Sequence, residues 1–150
     1  MKLIGRAEDR LQIELAPREK DLLMQLLRLY PRIPSSYQPL SKAAEPEQSG
    51  QRLLDEALAE ACSQNKNALQ LLLADPKRLG QQGDHWHLRL TGGEVEWLLQ
   101  VLNDIRVGSW IHLGSPELPL KVLNAQTAPD VWAMEIAGSF QMNLLEMLES

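Results

Sequence analysis

The sequence predicts an α+β fold that is mostly α, with three or four packed helices and a small antiparallel sheet. Apolar residues recur with helical period in several long segments, two short stretches alternate apolar and polar residues, and turn residues separate them. The 150 residues, of which 44% are hydrophobic and 23% charged, suit one domain, 1–150, with a real core.

Two alternating stretches predict the sheet. Residues 11–15, LQIEL, read as a half-buried strand, and residues 2–6, KLIGR, as its partner in a hairpin with AEDR as the turn. Residues 85–90, HWHLRL, predict a further strand whose apolar members face the core. We expect this strand to join the hairpin, after a turn bracketed by Gly80 and Gly83.

Four segments predict helices. The first begins at Pro17, which suits a first helical turn, and ends near Tyr30. The second begins near Gln51 and continues to about residue 74, as one helix or as two with a break at 63–67. The third begins with Thr91-Gly-Gly-Glu94, the pattern of a capping box, and the fourth begins near Thr127. Apolar residues recur every four positions in the fourth segment, at Trp132, Ile136, Phe140, Leu144 and Leu148.

Two segments predict loops. Residues 31–50 contain four prolines and four serines and predict a long surface loop. Residues 115–126 predict a second loop, with a short extended piece at LPLKVL.

Composition narrows the classes of function. A net charge of −5 and the mixture of acids with the N-terminal arginines and lysines favour a solvated surface over a nucleic-acid patch. The single cysteine, Cys62, excludes an intrachain disulfide and a CxxC zinc pair. No apolar run is long enough for a bilayer and the start does not read as a signal peptide, so we expect a cytoplasmic protein without a membrane partner.

The sequence contains no complete set of catalytic or metal-binding residues. His85 and His87 would project from the same side of a strand, but a zinc site needs further ligands, for which Asp84 and His112 are the candidates. The GxSxG, GxGxxG and GxxxxGK[ST] patterns are absent. We therefore expect no metal, no cofactor and no enzymatic activity; a metal-dependent hydrolase is the least favoured alternative.

The stretch VLNDIRVGSW, residues 101–110, places polar groups in an apolar helix. Helical phase puts Asn103 and Arg106 on one flank with Trp110, and Asp104 on the other flank with Trp97. These five residues are the candidate structural or interaction cluster. The main apolar face consists of Val95, Leu98, Val101, Leu102 and Ile105.

Two interpretations of this cluster remain open. In the favoured one it is structural: Arg106 pairs with a carboxylate such as Asp130 or Glu135, Asn103 bridges loop backbone, and loss of Arg106 costs about 2–4 kcal/mol. In the other the cluster forms a small polar pocket. The flanking tryptophans either pack under a neighbouring element, which we favour, or mark a partner surface.

Three segments together resemble an uncharacterised bacterial family, domain of unknown function number two thousand and seventeen. They are IELAPREKDLLMQLL (13–27), HLRLTGGEVEWLLQVLNDIRVGSWIHLG (87–114) and the tryptophan-bearing C-terminal helix. The residues that match the family pattern are Trp97, Asn103, Asp104, Arg106 and Gly114. The resemblance covers about two thirds of the chain and matches 31–80 only loosely.

The resemblance implies a regulatory protein without established enzymatic activity. Genes of the family often lie beside the adaptor of the Clp protease, and some members are linked to transcription control through cysteine pairs. Cys62 is alone, so such a switch cannot operate within this chain. We expect a non-enzymatic regulatory or adaptor-like protein that acts through protein contacts, with a protein partner and self-association; a DNA-binding transcription regulator is the alternative.

Overall fold

The computed structural model describes residues 1–33, 48–118 and 123–149. Four helices and one four-stranded antiparallel sheet make up these ranges, which confirms the predicted fold class. The elements in chain order are β1 (Lys2–Ala7), β2 (Arg10–Leu15), α1 (Pro17–Leu27), α2 (Gln48–Ala74), β3 (Leu79–Gln82), β4 (His85–Thr91), α3 (Gly92–His112) and α4 (Ala128–Glu149).

The sheet has the strand order β1-β2-β4-β3. The hairpin and the predicted strand at 85–90 pair as expected, with Ile13 opposite Leu88. The strand β3 was not predicted, because LGQQ has one apolar residue and no alternation; pairing with β4 holds it in the sheet. Of the two glycines predicted to bracket a turn, Gly83 lies in it with a φ of 63°, whereas Gly80 lies within β3.

The core lies between the inner face of the sheet and the helices. Leu11, Ile13 and Leu15 of β2 alternate with exposed or half-exposed residues, as the pattern LQIEL predicts. The helix α3 is central, and its predicted apolar face is almost completely buried. It packs most extensively against α4. The predicted capping box begins it: the Glu94 N–H donates to Thr91 Oγ1 at 3.1 Å and the Thr91 N–H donates to the Glu94 carboxylate at 2.8 Å.

The helix α2 is one continuous element of 27 residues, without a break at 63–67. It begins at Gln48, so the predicted loop at 31–50 does not extend to residue 50. The helical residue Leu69 is buried in the core, whereas Leu53 and Leu54 in the first half are exposed. Residues 34–47 of the predicted loop, and most of the predicted extended piece LPLKVL, lie outside the described residues.

Candidate functional site

The predicted polar cluster divides into two sites on opposite flanks of α3. Asp104 faces the segment that follows α1, where it contacts Arg32 and Ile33. Asn103 and Arg106 lie on the other flank and contact each other. The helical phase predicted this separation, but it could not show which groups meet either flank.

Asp104 holds the chain directly after α1. Its Oδ1 atom accepts the backbone N–H of Arg32 at 2.6 Å and the backbone N–H of Ile33 at 3.3 Å. Burial raises the pKa of this carboxyl, and the two backbone N–H groups oppose the rise because they favour the charged form. Asp104 therefore stabilises the position of this segment through one of its two carboxylate oxygens, Oδ1.

Arg32 connects the same segment to both α3 and α4. Its Nε donates to Ser109 Oγ at 2.9 Å, and its guanidinium forms an ion pair with Asp130 in the first turn of α4. The prediction that Asp130 pairs with Arg106 is therefore wrong. No sequence pattern distinguishes Arg32 from the other basic residues of the N-terminal third.

Gly108 allows this segment to cross α3 at close range. A Cβ atom on Gly108 would lie 2.7 Å from the backbone oxygen of Arg32, well inside van der Waals contact. We expect Gly108→Ala to lower the free energy of unfolding by about 1–3 kcal/mol, because backbone must shift to make room. Chemical denaturation measures this loss. Gly93→Ala is the matched control, since a Cβ atom there would lie 4.0 Å from Thr91 Oγ1, which is ordinary van der Waals contact. An equal loss in both variants would contradict the close approach at Gly108.

Arg106 and Asn103 form a hydrogen bond on the surface of α3. The Arg106 guanidinium donates to Asn103 Oδ1 at 3.0 Å, and both residues are exposed. The structure therefore contradicts a buried carboxylate partner for Arg106, and with it the predicted loss of 2–4 kcal/mol. It also places Asn103 against Arg106 in the same helix, not across loop backbone as predicted.

Arg106 lies at a cleft between α3 and α4 that the sequence did not predict. The cleft has a volume of about 640 Å³. Most of its wall is apolar, and two side chains on it, Leu118 and Met142, are 59% and 64% exposed. Its other lining residues are Arg106, Val107, Trp110, Met134, Glu135, Gly138 and Ser139.

The two candidate tryptophans have different surroundings. Trp97 packs against the core, and its Nε1 is buried with no hydrogen-bond partner among the described residues. Trp110 lines the cleft, and its Nε1 donates to the backbone oxygen of Pro116 at 2.9 Å. Packing under a neighbouring element is thus correct for Trp97. The hydrogen bond from its Nε1 holds Trp110 in place, and its ring forms part of the cleft wall.

The two histidines of β4 lie beside Glu14 of the neighbouring strand. His85 Nε2 is 3.6 Å from one Glu14 carboxylate oxygen, and His87 Nε2 is 3.9 Å from the other. His85 also contacts Asp84 at 2.7 Å, and His87 contacts Gln12 at 3.0 Å. Residues 1–33, 48–118 and 123–149 contain no group of three or more His, Cys, Asp or Glu side chains arranged to hold a metal ion.

A search for membrane-spanning helices and comparisons with known proteins complete the description. Within the described part of the chain, no helix is both long enough and apolar enough to cross a membrane. Comparison with models of protein families, with curated proteins and with solved structures finds no significant match. The family resemblance of the sequence therefore stays a prediction, carried by the residues quoted for it.

Proposed function

We propose that the chain is a non-enzymatic cytoplasmic adaptor or regulator that binds a protein partner in the cleft between α3 and α4. The cleft itself is the observation that supports this function. It exposes Met142 and Leu118 to solvent beside the ring of Trp110. Apolar groups left exposed together in a concave surface are typical of a binding site.

The side chains that line the cleft are of the types found in grooves that bind an amphipathic helix. Met134 and Met142 are unbranched and adapt to the shape of an apolar partner. Tryptophan and arginine are the residue types that most often dominate binding energy in protein interfaces, and Trp110 and Arg106 supply both. An amphipathic helix of the partner would lie with its apolar face against Val107 and these side chains.

Two charged side chains at the cleft, Arg106 and Glu135, indicate which charges the partner carries. Arg106 has no acidic partner among the described residues, and Glu135 on the facing helix has no basic one. We propose a partner helix that carries a carboxylate beside Arg106 and a cationic side chain beside Glu135. Oppositely charged groups at the rim fix the register of a docked helix more than they add to its affinity.

Affinity purification with a set of four proteins tests this function. We expect the wild type and the control Gln100→Asp, which adds a charge to α3 outside the cleft lining, to recover the same partner. Met142→Asp and Arg106→Glu should reduce its recovery at least about tenfold, because a charge is placed in the groove or the rim charge is reversed. All four should melt at similar temperatures, since both altered side chains are exposed.

Two outcomes would overturn the proposal. One is equal recovery of the partner by all four proteins, which would place binding elsewhere. The other is salt-dependent binding of duplex DNA that Arg106→Glu abolishes, which would favour the DNA-binding alternative.

A further inference from the structure

A second concave site, the α1–α2 pocket, lies between the end of α1 and the last third of α2, with a volume of about 290 Å³. Its wall is mostly aliphatic: Leu27 and Leu69 are buried, and Met24 and Leu73 are half-buried beside them. The other residues that line it are Arg28, Lys66, Gln70 and Ala74. Since one molecule of liquid water takes about 30 Å³, the pocket has room for about ten non-hydrogen atoms of a small molecule.

The charge of the α1–α2 pocket is positive, in a chain whose net charge is −5. Arg28 and Lys66 line the pocket and no acidic side chain does. Among the residues that the structure describes, neither cation forms an ion pair. The carbonyls at the end of α1 add a negative charge of only about half a unit, which two full positive charges exceed. The ligand that complements this pocket is therefore an anion.

We propose that the α1–α2 pocket binds a small aliphatic carboxylate with a chain of about eight carbons. The carboxylate accepts hydrogen bonds from the Arg28 guanidinium and the Lys66 ammonium, which are strong because both partners are charged. The aliphatic chain lies against Met24, Leu69 and the other apolar side chains of the wall. Each methylene group that leaves water for this wall should tighten binding about three- to fourfold.

The inner wall of the pocket limits the length of the ligand. Leu27, Leu69 and Leu73 separate the pocket from a void in the core of about 10 Å³, which has room for no more than about one water molecule. A chain much longer than eight carbons would therefore leave its end in solvent. A peptide of a partner fits less well than a free carboxylate, because its backbone N–H and C=O groups would lie unpaired against aliphatic side chains.

A ligand in this pocket would connect two helices that pack only loosely against each other. It would contact the end of α1 on one side and residues 66–74 of α2 on the other. Binding should therefore raise the melting temperature and slow amide hydrogen exchange in the last third of α2. The pocket shares no lining residue with the α3–α4 cleft, so this inference is independent of the proposed function.

Calorimetric titration of the wild-type chain with four small molecules tests the chemistry of the ligand. We expect octanoate to bind one to one with a Kd below about 1 mM, as a ligand of this size can reach. Octan-1-ol and octylammonium should bind at least about tenfold more weakly, because they lack the negative charge. Hexanoate should also bind about tenfold more weakly than octanoate, because it buries two methylene groups fewer.

Charge reversal at the pocket tests its location. Lys66→Glu and Arg28→Glu should each weaken octanoate binding at least about tenfold. Arg18→Glu, which makes the same change at an exposed residue of α1 outside the pocket, is the matched control and should bind octanoate like the wild type. Lys66→Glu should also bind octylammonium at least about threefold more tightly than the wild type does, a gain that an unfolded variant cannot show.

Three results contradict the proposal. The first is the absence of octanoate binding at concentrations up to about 5 mM, including the case in which an acidic peptide binds there instead. The second is equal affinity for octanoate, octan-1-ol and octylammonium, which would mean that the two cations do not select the ligand. The third is equal octanoate affinity in Lys66→Glu, Arg28→Glu and the control, which would place the site elsewhere on the chain.

Discussion

Asp104→Ala should lower the free energy of unfolding by about 2–4 kcal/mol. The substitution leaves the backbone N–H groups of Arg32 and Ile33 without their acceptor, and each unpaired donor in a half-buried place costs about 1–3 kcal/mol. Asp104→Asn is the matched control, because its side-chain oxygen can still accept both bonds. Urea denaturation measures the two losses, and an equal loss in both variants would show that the hydrogen bonds contribute little.

Comparison of the wild type with Asp104→Asn at different pH values tests the charge of Asp104. Burial raises the pKa of this carboxyl above its ordinary value of 3.8, so the folded chain binds more protons than the unfolded chain between the two pKa values. The free energy of unfolding contributed by Asp104 should therefore fall as the pH rises through this interval and then stay constant. The wild type should lose stability relative to Asp104→Asn over the same interval. A relative gain in stability with rising pH would contradict the direction of the shift.

The sequence predicts those parts of the fold that depend on local pattern. The alternation of LQIEL and HWHLRL predicts two paired strands, and the phase of Val95, Leu98 and Ile105 predicts the buried face of α3. The capping box at Thr91 is equally local, because its two hydrogen bonds join residues three apart. Each of these features is determined by residues close together in the sequence, so a local pattern is enough to predict it.

The rest of the site depends on contacts between distant residues. Arg32 and Asp104 are 72 positions apart, and their contact requires the segment after α1 to cross α3 at Gly108. The helical phase of α3 predicts that Asp104 and Arg106 lie on different flanks. It does not predict that the flank of Asp104 contacts backbone N–H groups, or that the flank of Arg106 borders a cleft. The cleft itself arises from the packing of α3 against α4, which no pattern within either helix contains.

The proposed function assigns binding and stability to different flanks of α3. On the first flank, Asp104 accepts the backbone N–H of Arg32, and the Arg32 guanidinium contacts the buried Ser109 of α3 and Asp130 of α4, so that Arg32 connects three segments. Arg106 and Trp110 lie on the flank toward the cleft, where Arg106 is exposed. Substitutions on the first flank should therefore change stability, and substitutions of exposed residues on the second should change binding while the fold is kept.

Arg32→Ala should destabilise the fold by about 2–4 kcal/mol, because it leaves the Asp130 carboxylate and the buried Ser109 hydroxyl without the guanidinium. The side chains of Arg32 and Asp130 retain 19% and 14% exposure, which places this loss below that of a fully buried pair. Arg106→Ala is the control: an arginine that is exposed and whose one hydrogen bond to a described residue is with Asn103 should change stability by no more than about 0.5 kcal/mol.

A double-mutant cycle separates the ion pair from the other contacts of Arg32. Because Arg32 and Asp130 are in direct contact, Asp130→Ala combined with Arg32→Ala should cost less than the two single losses together, by about 1–3 kcal/mol. Urea denaturation of the four proteins at neutral pH gives this coupling, and raising the salt concentration should reduce it only slightly, because a half-buried pair is weakly screened. Strict additivity would show that the guanidinium stabilises the fold through Ser109 and packing alone, and that Asp130 is satisfied by the N-terminus of α4 without it.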